Sequence, residues 1–138
     1  MNRTGHSALR ARSGGFSLLE LMIAITIVGI VTAAAIATYG DSMVKTRRGT
    51  AQACLMEAAQ FMERNYTLNM TYAVAYPNLA CVQDLADFYD FAFEGVPDGD
   101  SYEVEATPTG SQLDDNICGT MSIDQAGTKT ATDVEACW

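Results

Sequence analysis

The stretch GGFSLLELMIAITIVGIVTAAAIATY, from Gly14 to Tyr39, decides how the rest of the chain is read. At about 1.5 Å of rise per residue it is long enough to cross a hydrocarbon core of roughly 30 Å as one helix, and no other part of the chain is. Two details distinguish it from a plain membrane anchor. Glu20 sits inside the apolar run, where an unpaired carboxylate costs on the order of 2.5 to 3.5 kcal/mol at mid-bilayer, so a partner is implied. Ahead of the run, a polar segment carrying Arg3, Arg10 and Arg12 ends in Gly14 and Gly15, and the apolar residues begin abruptly at Phe16. That junction reads as a cleavage site. A secretory signal is cut after its apolar region and loses it; here the small residues come first, so the apolar segment stays with the mature chain.

Composition bounds the remainder. With the membrane stretch set aside, fewer than 100 of the 138 residues are left to build a core, a size at which folds are often marginal without staples. Cys54, Cys81, Cys118 and Cys137 all lie beyond the apolar run and so share one compartment. An even count in a small exported domain favours disulfides over zinc, which would require close C-x-x-C pairs. The compartment expected is the bacterial periplasm. The chain carries 8 Lys plus Arg against 17 Asp plus Glu, and without the leader's three arginines the balance is 5 against 17. Phosphate-rich partners, nucleic acid included, are disfavoured. Lys45, Arg47 and Arg48 beyond the apolar run match the leader's three arginines, so charge alone leaves the topology nearly tied and orientation rests on the processing junction.

Beyond Tyr39 a helical pattern resumes, with Val44, Ala51, Leu55, Ala58, Met62 and Tyr66 on one face and Arg47, Gln52, Glu57, Glu63 and Arg64 elsewhere. One continuous helix from about Ser17 to about Tyr66 would be roughly 75 Å long, with Gly29, Gly40 and Gly49 as its weak points. Thr67 to Ala86, which contains Pro77, reads as a loop with a short helical turn. Alternation then takes over: Tyr89, Phe91 and Phe93 face one way, the turn Pro97-Asp98-Gly99-Asp100 follows, and Tyr102, Val104 and Ala106 return as the second strand of a hairpin. A loop over Thr109 to Asp115 leads to a third strand through Ile117, Gly119, Met121 and Ile123. A turn at Gln125-Ala126-Gly127 and a short fourth strand from Thr128 to about Thr132 complete the pattern.

At Gly15, Phe16-Ser17-Leu18-Leu19-Glu20-Leu21-Met22 the chain resembles the type IV prepilins, whose processing motif is Gly, an aromatic, and a Glu five residues into the mature chain. Arg47-Arg48, Ala51-Gln52-Ala53, Met62-Glu63-Arg64-Asn65-Tyr66 and Thr71-Tyr72-Ala73 extend the likeness to the PilE-like minor pilins. So do Ala106-Thr107-Pro108, the run from Cys118 to Gly127, and Cys137-Trp138. The resemblance implies an α+β, ladle-shaped pilin fold: a cleaved leader over 1–15, a transmembrane and filament-core half-helix over 16–40, and a periplasmic head over 41–138 with a four-stranded antiparallel sheet. It implies cutting by the prepilin peptidase after Gly15, N-methylation of Phe16, and an assembly contact from Glu20 to the Phe16 amine of an adjacent subunit. Four cysteines allow three connectivities; the resemblance implies Cys118–Cys137 as the closing disulfide, and Cys54–Cys81 is expected beside it, outside the pattern of the group. Pilins of this family usually carry a proline where this chain has Ala37.

The function expected is a structural minor pilin that waits in the inner membrane and then enters a pilus, supporting assembly, adhesion, twitching motility or DNA uptake. Its partners would be other major and minor pilins, the prepilin peptidase and the inner-membrane assembly platform. Alternatives are a pseudopilin of a type II secretion system, with the same processing motif, and a membrane-anchored adhesin or DNA-binding module. No catalytic residues, cofactor or metal ligands are expected, because the only histidine, His6, lies in the leader. Solvated turn acids are the commoner reading of Asp98-Gly99-Asp100 and Asp114-Asp115-Asn116, with an oxygen-rich calcium site as the alternative. Lys45, Arg47 and Arg48 divide evenly between a solvated face and contacts to lipid headgroups or a neighbouring subunit. The sequons at Asn65 and Asn69 read as coincidental.

Overall fold

A computed structural model describes residues 15–138; Arg3, His6, Arg10 and Arg12 lie outside the described residues. The chain divides into two units, one ending at Thr38 and the other spanning Tyr39–Trp138. Helix α1, Leu18–Asn69, runs through the division and is 52 residues long, or about 78 Å. Its apolar part has a mean hydropathy of 2.4 over the best 18-residue window, with none of that window buried. Thr26 and Thr32 turn their hydroxyls back onto the carbonyls of Met22 and Val28, at 2.7 Å each. Those bonds satisfy within the helix the hydroxyls that a hydrocarbon surrounding could not solvate.

In the head, the face read from the sequence forms the core. Ala51, Leu55, Ala58 and Met62 are completely buried, joined by Cys54 and Ala59, while Val44 and Tyr66 at its two ends are half-buried. The helix then continues one turn further than Tyr66, because no breaker intervenes before Met70. Met70 stops it in a left-handed conformation (φ 56°), its N–H donating to the Tyr66 carbonyl at 2.8 Å. A side chain pays for this geometry in strain, and Met70 is 72% exposed, so it offers little packing in return. Met70→Gly is therefore expected to raise head stability by about 0.5 kcal/mol, strain relief outweighing the entropy of the added glycine. Urea titration of the two proteins checks the sign.

A loop and the short helix α2, Ala80–Asp84, lead into the sheet. Strands β1, Tyr89–Phe93, β2, Glu103–Pro108, β3, Met121–Asp124, and β4, Lys129–Thr130, lie in the order β1-β2-β3-β4, all antiparallel. Phe91 pairs with Ala106, Ala106 with Met121, and Val104 with Ile123; all five are buried and share one core cluster with the α1 face. That is the alternation the sequence predicts, with Asp90, Glu103 and Glu105 left on the other face.

Three elements differ from the sequence reading. The third strand begins at Met121, not Ile117. Gly119 is left-handed (φ +55°) and turns the chain so closely past Thr132 that a Cβ there would lie 2.7 Å from the threonine hydroxyl, so Ile117 is 51% exposed rather than in the sheet. Gly110–Asp114 forms a 3-10 helix where a loop is expected, and a one-turn helix α3, Val134–Cys137, follows the last strand. The Asp133 carboxylate caps α3 by accepting from the Ala136 N–H at 3.2 Å.

Candidate functional site

Gly15 and Phe16 precede the first turn of α1, and Glu20 lies within that turn. Phe16 is 76% exposed, and Glu20 is exposed with no ion pair to another described residue. Its carboxylate stands at the helix end where backbone N–H groups are unsatisfied and the dipole favours negative charge. A Cβ built on Gly15 would meet nothing within 4 Å. The fold itself makes no demand for glycine at that position.

The head is held by two disulfides: Cys54 joins Cys81, with Cα atoms 5.8 Å apart, and Cys118 joins Cys137, at 5.6 Å. The first ties α1 to α2. The second ties the turn before β3 to α3, and Gln52 Nε2 donates to the Cys137 carbonyl, fixing the C-terminal end against α1. With sequence separations of 27 and 19, each is worth about 3 kcal/mol in the chain-entropy description. That is a large share of the stability of so small a head.

The basic residues after the apolar stretch are not equivalent. Arg48 grips Asp115 with two parallel bonds, Nε to Oδ2 at 2.7 Å and Nη2 to Oδ1 at 2.6 Å, and both side chains are largely buried. Arg47 stacks on the Phe88 ring at 3.6 Å and donates to the Ser111 hydroxyl at 3.2 Å. Only Lys45 of the three keeps the solvated position weighed for the whole trio. The same pair engages the acid at the centre of Asp114-Asp115-Asn116, and Asp98 spends its carboxylate on the Asp100 and Ser101 N–H groups of its own turn. Among the described residues no group of His, Cys, Asp and Glu gathers as a metal site.

Arg48→Ala would leave the buried Asp115 carboxylate without its countercharge, and a loss of about 3 kcal/mol is expected, measured by denaturant unfolding of the head. A pH dependence follows from the same pair. Burial pushes the Asp115 carboxyl up, but hydrogen bonding and charge from Arg48, with the Cys118 and Ile117 N–H groups, hold it below the usual carboxylate range. A carboxyl depressed in the folded state contributes stability that is present above its unfolded value and lost as pH falls through the folded one. The melting temperature should therefore drop below about pH 4, and Asp115→Asn should flatten that part of the profile.

Two further side-chain groups escaped sequence reasoning. Tyr72 and Tyr102 both donate their hydroxyls to Glu63, at 3.0 and 3.2 Å, tying the far end of α1 to the following loop and the start of the β2 region. Burial, and then the Glu63 carboxylate, push Tyr72 up to about 12. Gln112, fully buried in the 3-10 helix, donates to both the Val44 carbonyl and the Tyr89 hydroxyl at 3.0 Å. The partners are separated by 9 to 68 positions. Local patterns carry no signal for such pairs.

A long apolar helix opening on Phe16 and Glu20, leading into a sheet closed by a C-terminal disulfide, defines a pilin. Residues 10–36 match the prokaryotic N-terminal methylation motif, and residues 37–122 match the family described as type IV minor pilin ComP, DNA uptake sequence receptor. The chain belongs to this family of type IV minor pilins. Among solved structures, a type IV pilin from Shewanella oneidensis is 30% identical, with a TM-score of 0.55 over 69% of this chain and 97% of that one. The non-core minor pilin PilV of Neisseria meningitidis, 22% identical, shares the fold with a TM-score of 0.50 over 67% of this chain and 89% of its own. No curated protein matches the chain significantly.

Proposed function

We propose that this minor pilin is made with residues 1–15 as a leader and is cut by the prepilin peptidase between Gly15 and Phe16. Phe16 is then N-methylated, and residues 16–40 hold the protein in the inner membrane with residues 41–138 in the periplasm until it enters a pilus. The observation that carries this reading is the position of Gly15, Phe16 and Glu20 at the open end of a helix whose apolar part buries nothing on its own chain. Its partners are other pilins and the assembly platform, and its role is structural, supporting the assembly, adhesion, twitching or DNA uptake of the filament.

A second reading, direct capture of DNA, is favoured by the name of the ComP family. The charge opposes it: the mature chain sets 5 basic residues against 17 acidic ones. One of those five, Arg48, is already paired with Asp115, and Arg47 gives part of its guanidinium to Ser111. Neutralising phosphates requires cations free to displace counterions.

The intact mass of the protein from membranes and from sheared surface filaments tests the proposal. The expected mass lacks residues 1–15, gains one methyl group and loses four cysteine hydrogens. An uncut chain would overturn the processing, and a cut chain absent from filaments would move the protein to a secretion pseudopilus. Retention of duplex DNA by the purified mature chain would revive the second reading.

A further inference from the structure

A cleft of about 700 Å³ opens where the head begins, walled on one side by α1 from Tyr39 to Arg48 and on the other by residues 111–117. Among the described residues the one ion pair is Arg48–Asp115, so four other charges lining this cleft are unpaired: Asp41, Lys45, Arg47 and Asp114. Asp41 and Lys45 are one helical turn apart with the acid first, an order that favours pairing on an isolated helix. They do not pair, and both are exposed. Tyr39 and Ile117 add apolar surface to the cleft, at 67% and 51% exposure. Tyr39 follows directly on the apolar stretch in the chain, the position at which aromatic residues and cations meet the headgroup layer of a bilayer.

The geometry points to the headgroup of a zwitterionic phospholipid bearing a primary ammonium, of the phosphatidylethanolamine type, as the occupant of this cleft while the chain is held in the membrane. The phosphodiester oxygens accept from the Lys45 ammonium and from the guanidinium N–H groups that Arg47 does not spend on Ser111. The lipid ammonium donates to the Asp41 and Asp114 carboxylates. Tyr39 and Ile117 flank the glycerol end. A purely anionic headgroup would meet those two acids unbalanced, and a choline headgroup has no N–H to give them. The proposal rests on the membrane-held state described above, and its test reads lipid at the head rather than processing or assembly.

The full mature chain in detergent micelles, titrated with phosphatidylethanolamine or phosphatidylcholine and observed by native mass spectrometry, provides the test. One phosphatidylethanolamine is expected to be retained in clear preference to phosphatidylcholine. Asp114→Asn and Asp41→Asn should each reduce that preference by about fivefold, the share of one charged contact near a lipid surface. Lys129→Ala, remote from the cleft, should leave it unchanged. Equal retention of the two lipids by the parent chain, or an undiminished preference in both cleft variants, overturns the proposal. So does a lipid-free dimer lost in the same variants, which would make a second copy the occupant.

Discussion

A chain carrying Gly15→Glu is expected to keep its leader, so that the shortened form disappears from membranes and none reaches filaments. The reason lies outside the fold. A Cβ at Gly15 would meet nothing within 4 Å among the described residues, so the substitution creates no clash with them. On the proposed processing, what it removes is a scissile position almost without a side chain. Head stability should be unchanged, because the head core begins at Ala51. Immunoblots of membrane fractions, with the uncut and cut forms resolved by mass, provide the measurement. Recovery of normally shortened protein would remove the basis for reading Gly15 and Phe16 as a processing site.

The parts of this structure that were legible in the sequence are those where one face repeats. Ala51, Leu55, Ala58 and Met62 recur at helical spacing because a single face of α1 meets the core; Phe91, Val104 and Ala106 alternate because one side of the sheet does. Gly119 was misread as a strand residue because a glycine in an alternating run looks the same whether its φ is negative or positive. Only the approach of Thr132 decides between them. The helix that Asp133 caps is one turn long, too short for periodicity to reveal. The grip of Arg48 on Asp115 spans 67 positions, and nothing local marks which acid of the loop meets which cation of the helix. The N-terminal site is the reverse case. Its meaning rests on spacing and likeness alone, and the contacts proposed for it lie with other molecules.

Glu20→Ala is expected to leave the protein in the membrane at normal levels with an unchanged head, and to reduce its amount in sheared filaments by about tenfold or more. The proposed cleavage would free an amino group on Phe16 that stays cationic after methylation. On the proposed assembly, this cation and the Glu20 carboxylate of a neighbour would attract strongly in a filament core that excludes water, because the surrounding apolar residues screen little. Phe16 lies ahead of the first helical turn and Glu20 within it, so an internal contact competes with the intersubunit one. Glu20→Gln separates charge from hydrogen bonding: the amide still accepts and donates but cannot neutralise an ammonium. If the contact is electrostatic, Gln should fail to incorporate much as Ala does; if it is a simple hydrogen bond, Gln should restore most of the parent level. The alanine variant inserts as well as the parent because it deletes a charge from an apolar run, where a lone carboxylate is unfavourable. Any shortfall in filaments thus reports assembly rather than insertion. Normal incorporation of the alanine variant would show that Glu20 is not the assembly contact.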